Sequence, residues 1–140
     1  MAGKLRTDED MRILLVEDHK PTRDEMRALI EQQADMTVVA EAATGEDALD
    51  KARAEHPDVV VTDILLPGMN GIDAARKIRT EQPDVRVLAL SNHFGESLVQ
   101  AILDAGGLGY VRKGRAFEEL IPALRSVASG EQYVSKGPAD

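Results

Sequence analysis

Three short apolar runs constrain this chain most: Ile13-Leu14-Leu15-Val16, Val59-Val60-Val61-Thr62 and Val87-Leu88-Ala89-Leu90, separated by amphipathic stretches of helical period. Strands that are apolar at nearly every position are buried on both faces, and such strands belong to parallel sheets covered by helices on either side. A fourth strand-like piece, Gly109-Tyr110-Val111-Arg112, extends the series. The runs close in turn on Glu17-Asp18, Asp63, Ser91 and Lys113. Open α/β sheets bind ligands beyond the carboxyl ends of their strands, so three carboxylates, one hydroxyl and one ammonium are expected at a single edge. That set suits a divalent cation and a phosphoryl group.

Five strand-helix units can be read. The first is a strand over Arg12–Glu17 and a helix over Pro21–Gln33, with Pro21 suited to the first turn and Met26, Leu29 and Ile30 on the apolar face. The second is Met36–Glu41, whose Thr37 and Glu41 suit an edge strand, and then a helix that Thr44-Gly45-Glu46-Asp47 opens with a capping pattern and His56-Pro57 ends. In the third, Val59–Thr62 is the most uniformly apolar and hence central strand, followed by the turn Pro67-Gly68-Met69-Asn70-Gly71 and a helix with Ile72, Ala75 and Ile78 inward. The fourth strand is Arg86–Ser91, with a helix that Gly106-Gly107 stops. The fifth is Gly109–Arg112, then a helix over Phe117–Ser129 with Phe117, Leu120, Ile121 and Leu124 as its stripe. Pro122 predicts a bend there or a later start. Right-handed crossovers leave few ways to assemble these units. The expected fold is a flavodoxin-like, doubly wound (βα)5 domain with a five-stranded parallel sheet of order 2-1-3-4-5, its switch point between the strands that end in Glu17-Asp18 and in Asp63.

Composition removes several function classes. The chain of 140 residues suits one core, preceded by a polar leader over 1–11, with the domain over 12–130 and a tail or linker over 131–140. It has no cysteine, which excludes thiolate metal sites and thiol chemistry. The net charge of −8 disfavours direct nucleic-acid binding by this segment. No apolar stretch approaches membrane-span length, and the first ten residues lack a secretory core, so a cytoplasmic protein is expected.

Val16-Glu17-Asp18-His19, Val61-Thr62-Asp63-Ile64-Leu65-Leu66-Pro67-Gly68-Met69-Asn70-Gly71, Ser91 and Tyr110-Val111-Arg112-Lys113 resemble the receiver domain of bacterial two-component response regulators. Glu41-Ala42, Ser91-Asn92-His93, Gly109-Tyr110 and Val127-Ala128-Ser129-Gly130-Glu131 narrow the resemblance to the NarL/FixJ type. The resemblance implies that Asp63 accepts a phosphoryl group from a sensor histidine kinase. It further implies Mg²⁺ held by Asp18, Asp63 and the Leu65 backbone carbonyl, with Glu17 acting through water. Lys113 and Ser91 would then contact phosphoryl oxygens, and Tyr110 would turn from exposed to buried, driving homodimerisation or an output. That output would be transcriptional, through a helix-turn-helix DNA-binding domain that this chain does not contain. The alternative is a stand-alone receiver acting through protein–protein contacts. Either way the implied role is signalling, with the domain assisting its own phosphotransfer and dephosphorylation rather than turning over a substrate.

Elementary electrostatics points the same way. Two carboxylates about 4 Å apart repel by about 4 kcal/mol at an effective dielectric of 20, so three call for a cation, and Mg²⁺ accepts carboxylate and phosphate oxygens while keeping waters. Two features depart from the family pattern. Gly114 follows Lys113 where many receivers carry proline, which predicts a looser Lys113 loop. Leu65, two residues beyond the acceptor, puts an apolar side chain near the path of attacking water and predicts slow spontaneous dephosphorylation. His93 lies close enough to the site to tune it. A haloacid-dehalogenase type phosphatase, also Mg²⁺-dependent, would need a second aspartate where Leu65 stands.

Overall fold

The computed structural model describes residues 10–136. Its elements run β1 (Met11–Val16), α1 (Lys20–Glu31), β2 (Met36–Ala42), α2 (Gly45–Glu55), β3 (Val59–Thr62), α3 (Gly71–Glu81), β4 (Arg86–Ser91), α4 (Glu96–Asp104), β5 (Gly109–Arg112), α5 (Ala116–Ala128) and β6 (Tyr133–Val134). All pairings are parallel, in the order β2-β1-β3-β4-β5-β6. The expected order 2-1-3-4-5 is therefore present, with a short sixth strand added beside β5. Of the expected leader, residues 1–9 lie outside the described residues, as do 137–140 of the tail, and the first strand begins at Met11.

Strand alternation divides the core. Ile13, Leu15, Val59, Val61 and Leu88 face α1 and α5, where Ile30, Leu120, Leu124 and Val127 meet them. Leu14, Val16, Val60, Val87 and Ala89 face the other way, against Leu49, Ile78 and Ile102. Neighbouring residues of one strand thus serve opposite cores, as a period of two requires. Among the capping expectations, Thr44 accepts the Asp47 N–H at 3.0 Å, and His56 closes α2 in the left-handed conformation with φ 46°.

The last helix corrects the sequence reading. It starts at Ala116, so Pro122 lies well inside it, exposed to solvent. The buried stripe is Ala116, Leu120, Ala123, Leu124 and Val127, whereas Phe117 is 82% exposed. Phe117 lies about 100° around the helix from Ala116, at the edge of the buried arc.

Candidate functional site

Parallel strands emerge side by side, so their carboxyl ends share one rim. β1 and β3 are adjacent, with Val16 beside Thr62. Each strand delivers its acids in the residues that follow: Glu17 and Asp18 after β1, Asp63 after β3. One carboxylate oxygen from each of the three lies within 4.8 Å of the others. Glu17 and Asp63 are buried, and Asp18 is exposed. Lys113, directly after β5, reaches across to them, its Nζ 2.5 Å from Glu17 Oε1 and 2.7 Å from Asp63 Oδ2. Burial alone would lower the Lys113 ammonium, but the hydrogen bonds and charges of Asp63 and Glu17 outweigh it and raise its pKa. The amine is thus a fixed positive charge among the acids.

Local backbone bonds orient the Asp63 carboxylate. The Asp63 N–H donates to the Val16 carbonyl at 3.1 Å, and its Oδ1 accepts the Ile64 N–H at 2.7 Å. The other carboxylate oxygen is the one that meets Lys113. Gly71 opens α3 against this loop. A Cβ built on Gly71 would stand 1.9 Å from the Asp63 carbonyl oxygen, so no other residue lets the helix start so close.

Ser91 closes β4 opposite Arg112, and Tyr110 sits two residues back along β5. Ser91 is fully buried, and its Oγ accepts the His93 N–H at 3.1 Å. The Tyr110 hydroxyl donates to the His93 carbonyl, and the Phe94 ring meets Tyr110 edge-on at 5.5 Å. Tyr110 is wholly buried. Burial, together with the Asp63 charge and against a hydrogen bond to Ser91, raises its phenol pKa. His93 takes part through its backbone while the residue itself is exposed, and Leu65 is 57% exposed.

The rim therefore brings Glu17, Asp18 and Asp63 together, with Lys113 bonded to Glu17 and Asp63, while Ser91, His93 and Tyr110 are joined to one another. Two features escape a reading of the sequence: the contacts of Arg23 and Glu41 around Glu17, and the docking of Ser135 on Glu119. An arginine in a helix's polar face and a serine in a tail carry no pattern that distinguishes them from solvated residues.

As a donor set, three carboxylates with no sulfur or imidazole fit a hard divalent cation, and the exposed Asp18 leaves such an ion in contact with water. Among the described residues no helix is long and apolar enough to cross a membrane.

Residues 13–125 match the family model of the response regulator receiver domain. The chain is 39% identical over 123 residues to the response regulator UvrY of Escherichia coli, covering 88% of this chain and 56% of that protein. It is 34% identical over 134 residues to the nitrate/nitrite response regulator NarL of Escherichia coli, covering 94% of this chain and 61% of that protein. A two-component response regulator of the LuxR family from an Aurantimonas species superposes with a TM-score of 0.86 at 38% identity, covering 89% of each chain. The chain thus spans between 56% and 61% of the length of these curated relatives.

Proposed function

The chain belongs to the response regulator receiver family, and from that premise we propose that it accepts a phosphoryl group on Asp63 from a sensor histidine kinase and changes shape in consequence. The observation that carries this reading is the contact of Lys113 Nζ with both Asp63 and Glu17, 2.7 and 2.5 Å away, beside the exposed Asp18.

Asp18 and Asp63 would hold Mg²⁺, with the Leu65 carbonyl as a further oxygen donor and Glu17 acting through water. When bound, the ion supplies neutralisation of charge on the transferring phosphoryl oxygens. The protein's own share is positional. Asp63 offers one oxygen as nucleophile while the Ile64 N–H orients the other. As the oxygen–phosphorus bond to Asp63 forms and the donor's bond breaks, Lys113 keeps its proton and follows the charge from carboxylate to phosphoryl oxygen. Little else is needed, because phosphoryl transfer is catalysed mainly by alignment and charge stabilisation. Ser91 would donate its hydroxyl to another phosphoryl oxygen. Two charge-assisted bonds of roughly 1.5–3 kcal/mol each sum to roughly 3–6 kcal/mol, comparable with the roughly 5.5 kcal/mol that inverts a 1:99 equilibrium. Leu65 would keep attacking water off the adduct and lengthen its life.

A groove between α1 and α5, lined by Met26, Leu29, Lys113, Gly114 and Phe117, adjoins this rim and gives a kinase an apolar foothold beside the acceptor. The output of the whole protein would be transcriptional control through a separate DNA-binding domain, with phosphorylated receivers pairing as homodimers.

Incubation with a small-molecule phosphodonor and Mg²⁺, followed by intact mass measurement, tests the reading. The expected result is one phosphoryl adduct per chain, absent from Asp63→Asn. Steady release of phosphate without an adduct would instead indicate a phosphatase, and no reaction at all a domain that acts by binding alone.

A further inference from the structure

Glu17 is held at all of its polar positions. Its N–H donates to the Ala42 carbonyl at 2.9 Å, Oε2 accepts the His19 N–H at 2.9 Å, and Oε1 meets Lys113. The remaining group, its carbonyl, accepts from Arg23 Nη1 at 2.7 Å. That carbonyl belongs to the peptide joining Glu17 to Asp18, so whatever holds it sets the direction in which Asp18 is presented. Arg23 is itself anchored, its Nε 3.1 Å from Glu41 Oε1. Its side chain is only 17% exposed. The other oxygen of Glu41 is 3.0 Å from Arg27 Nη1.

Glu41 reaches Arg23 because of an irregularity in the sheet. Along β1 and β2 the register runs Ile13 to Val38 and then Leu14 to Ala40, which leaves Val39 over. Bulges are rare in parallel pairs. Laterally paired residues point to the same side of a sheet, and Leu15, the partner of Glu41, faces the α1 side. Without the extra residue Glu41 would pair with Val16 and face the α2 side instead, since a one-residue slip reverses every side chain beyond it.

We infer that Arg23 is a positioning residue of the metal site: anchored by Glu41 through the Val39 bulge, it holds the Glu17–Asp18 peptide in the orientation that lets Asp18 bind a divalent cation. This rests on the assignment of the acidic cluster to Mg²⁺. The planar guanidinium is what the geometry uses, one edge nitrogen for the carbonyl and another for the carboxylate. Lysine carries all its donors on one nitrogen, so it cannot span a carbonyl and a carboxylate that two separate guanidinium nitrogens reach. Groups that orient metal ligands typically contribute 10–100-fold to affinity.

Calorimetric titration of the whole chain with Mg²⁺ at constant ionic strength, alongside thermal melting without metal, tests the inference. Arg23→Lys is expected to weaken Mg²⁺ binding by about tenfold or more while it still melts cooperatively. Glu41→Gln should fall between this variant and the parent. Arg27→Gln, which removes the other arm of Glu41 and leaves Arg23 in place, should bind within about twofold of the parent, which separates positioning from a general loss of charge. Should Arg23→Gln fail to fold, Arg23→Lys still decides. Parental affinity in Arg23→Lys, or an equal loss in Arg27→Gln, overturns the inference and leaves the metal assignment standing. A parent that binds no Mg²⁺, or an Asp18→Asn variant that binds as well as the parent, overturns the assignment itself and this inference with it.

Discussion

Ser91 is linked to the buried Tyr110 through the backbone of His93. Its Oγ accepts the His93 N–H, and the carbonyl of that same residue accepts the Tyr110 hydroxyl. A phosphoryl oxygen that draws the Ser91 hydroxyl toward Asp63 would therefore pull on the turn that holds Tyr110. Because Tyr110 is already buried in this structure, the expected signature is a tightening of its surroundings rather than a passage from solvent to core. Ser91→Ala leaves Glu17, Asp18, Asp63 and Lys113 in contact, so the phosphoryl adduct should form to nearly the parental extent. Phosphorylation-dependent dimerisation, measured by light scattering, should weaken at least several-fold. Dimerisation at parental strength would separate Ser91 from the switch. The rim acids and Lys113 were legible as residues because each closes an apolar run. Arg23 was not, since its role depends on which carbonyl lies above it and not on its place in a periodic pattern.

At the scale of elements, the short sixth strand matters most. β6 lies along β5 with Tyr133 beside Gly109 and Val134 beside Tyr110. A Cβ at Gly109 would stand 2.3 Å from Leu88 Cδ1 of β4 and 3.3 Å from the Tyr133 carbonyl oxygen of β6, so the position is tight on both neighbours. The strand is pinned at its end. Ser135 donates to Glu119 Oε1 at 2.6 Å and accepts the Arg112 N–H at 3.1 Å, and Arg115 pairs with the same glutamate. Burial alone would raise the Glu119 pKa, but hydrogen bonds from Ser135, Arg115 and Tyr133 overcome it and hold the carboxyl below its usual range. Ser135→Ala leaves the buried Glu119 Oε1 and the part-buried Arg112 N–H each short of a partner, a cost of about 1–3 kcal/mol for the buried group. Amide exchange at Tyr133 and Ser135 should then quicken while β1 and β3 keep their protection. A depressed carboxyl stabilises the fold above its unfolded pKa of about 4.3 and loses that contribution as pH falls through the lower folded value. The same two amides should therefore lose protection in that acid range in the parent, and an unchanged exchange pattern in both experiments would remove the pin from Glu119. Sequence periodicity located all five main strands, yet it could not see β6, because two residues are too few to alternate. It also put Phe117 in the core, because a stripe read from apolar letters does not say how far around the helix the packed arc extends.

For the whole molecule, the central fact is acid crowded at one end of a parallel sheet and offset by a single amine. Lys113 pairs with Glu17 and Asp63, while Asp18 faces water. A cation that binds only the folded chain stabilises it by mass action, by about 2.7 kcal/mol at a hundredfold excess over Kd. The melting temperature should accordingly climb with Mg²⁺, return to its starting value with chelator, and stay level in Asp18→Asn. A parental melting temperature indifferent to Mg²⁺ would mean that Lys113 alone satisfies the cluster. The amino-acid sequence by itself determined the parallel sheet, its strand order and the residues at its carboxyl edge, because burial on two faces and right-handed crossovers leave little freedom once the apolar runs are placed. Only the tertiary structure decided that a bulge at Val39 turns Glu41 toward Arg23, that Ser135 finds Glu119, and that Phe117 stays outside. Those outcomes depend on the register and reach of segments far apart in the chain, and no local pattern of residues encodes such distances.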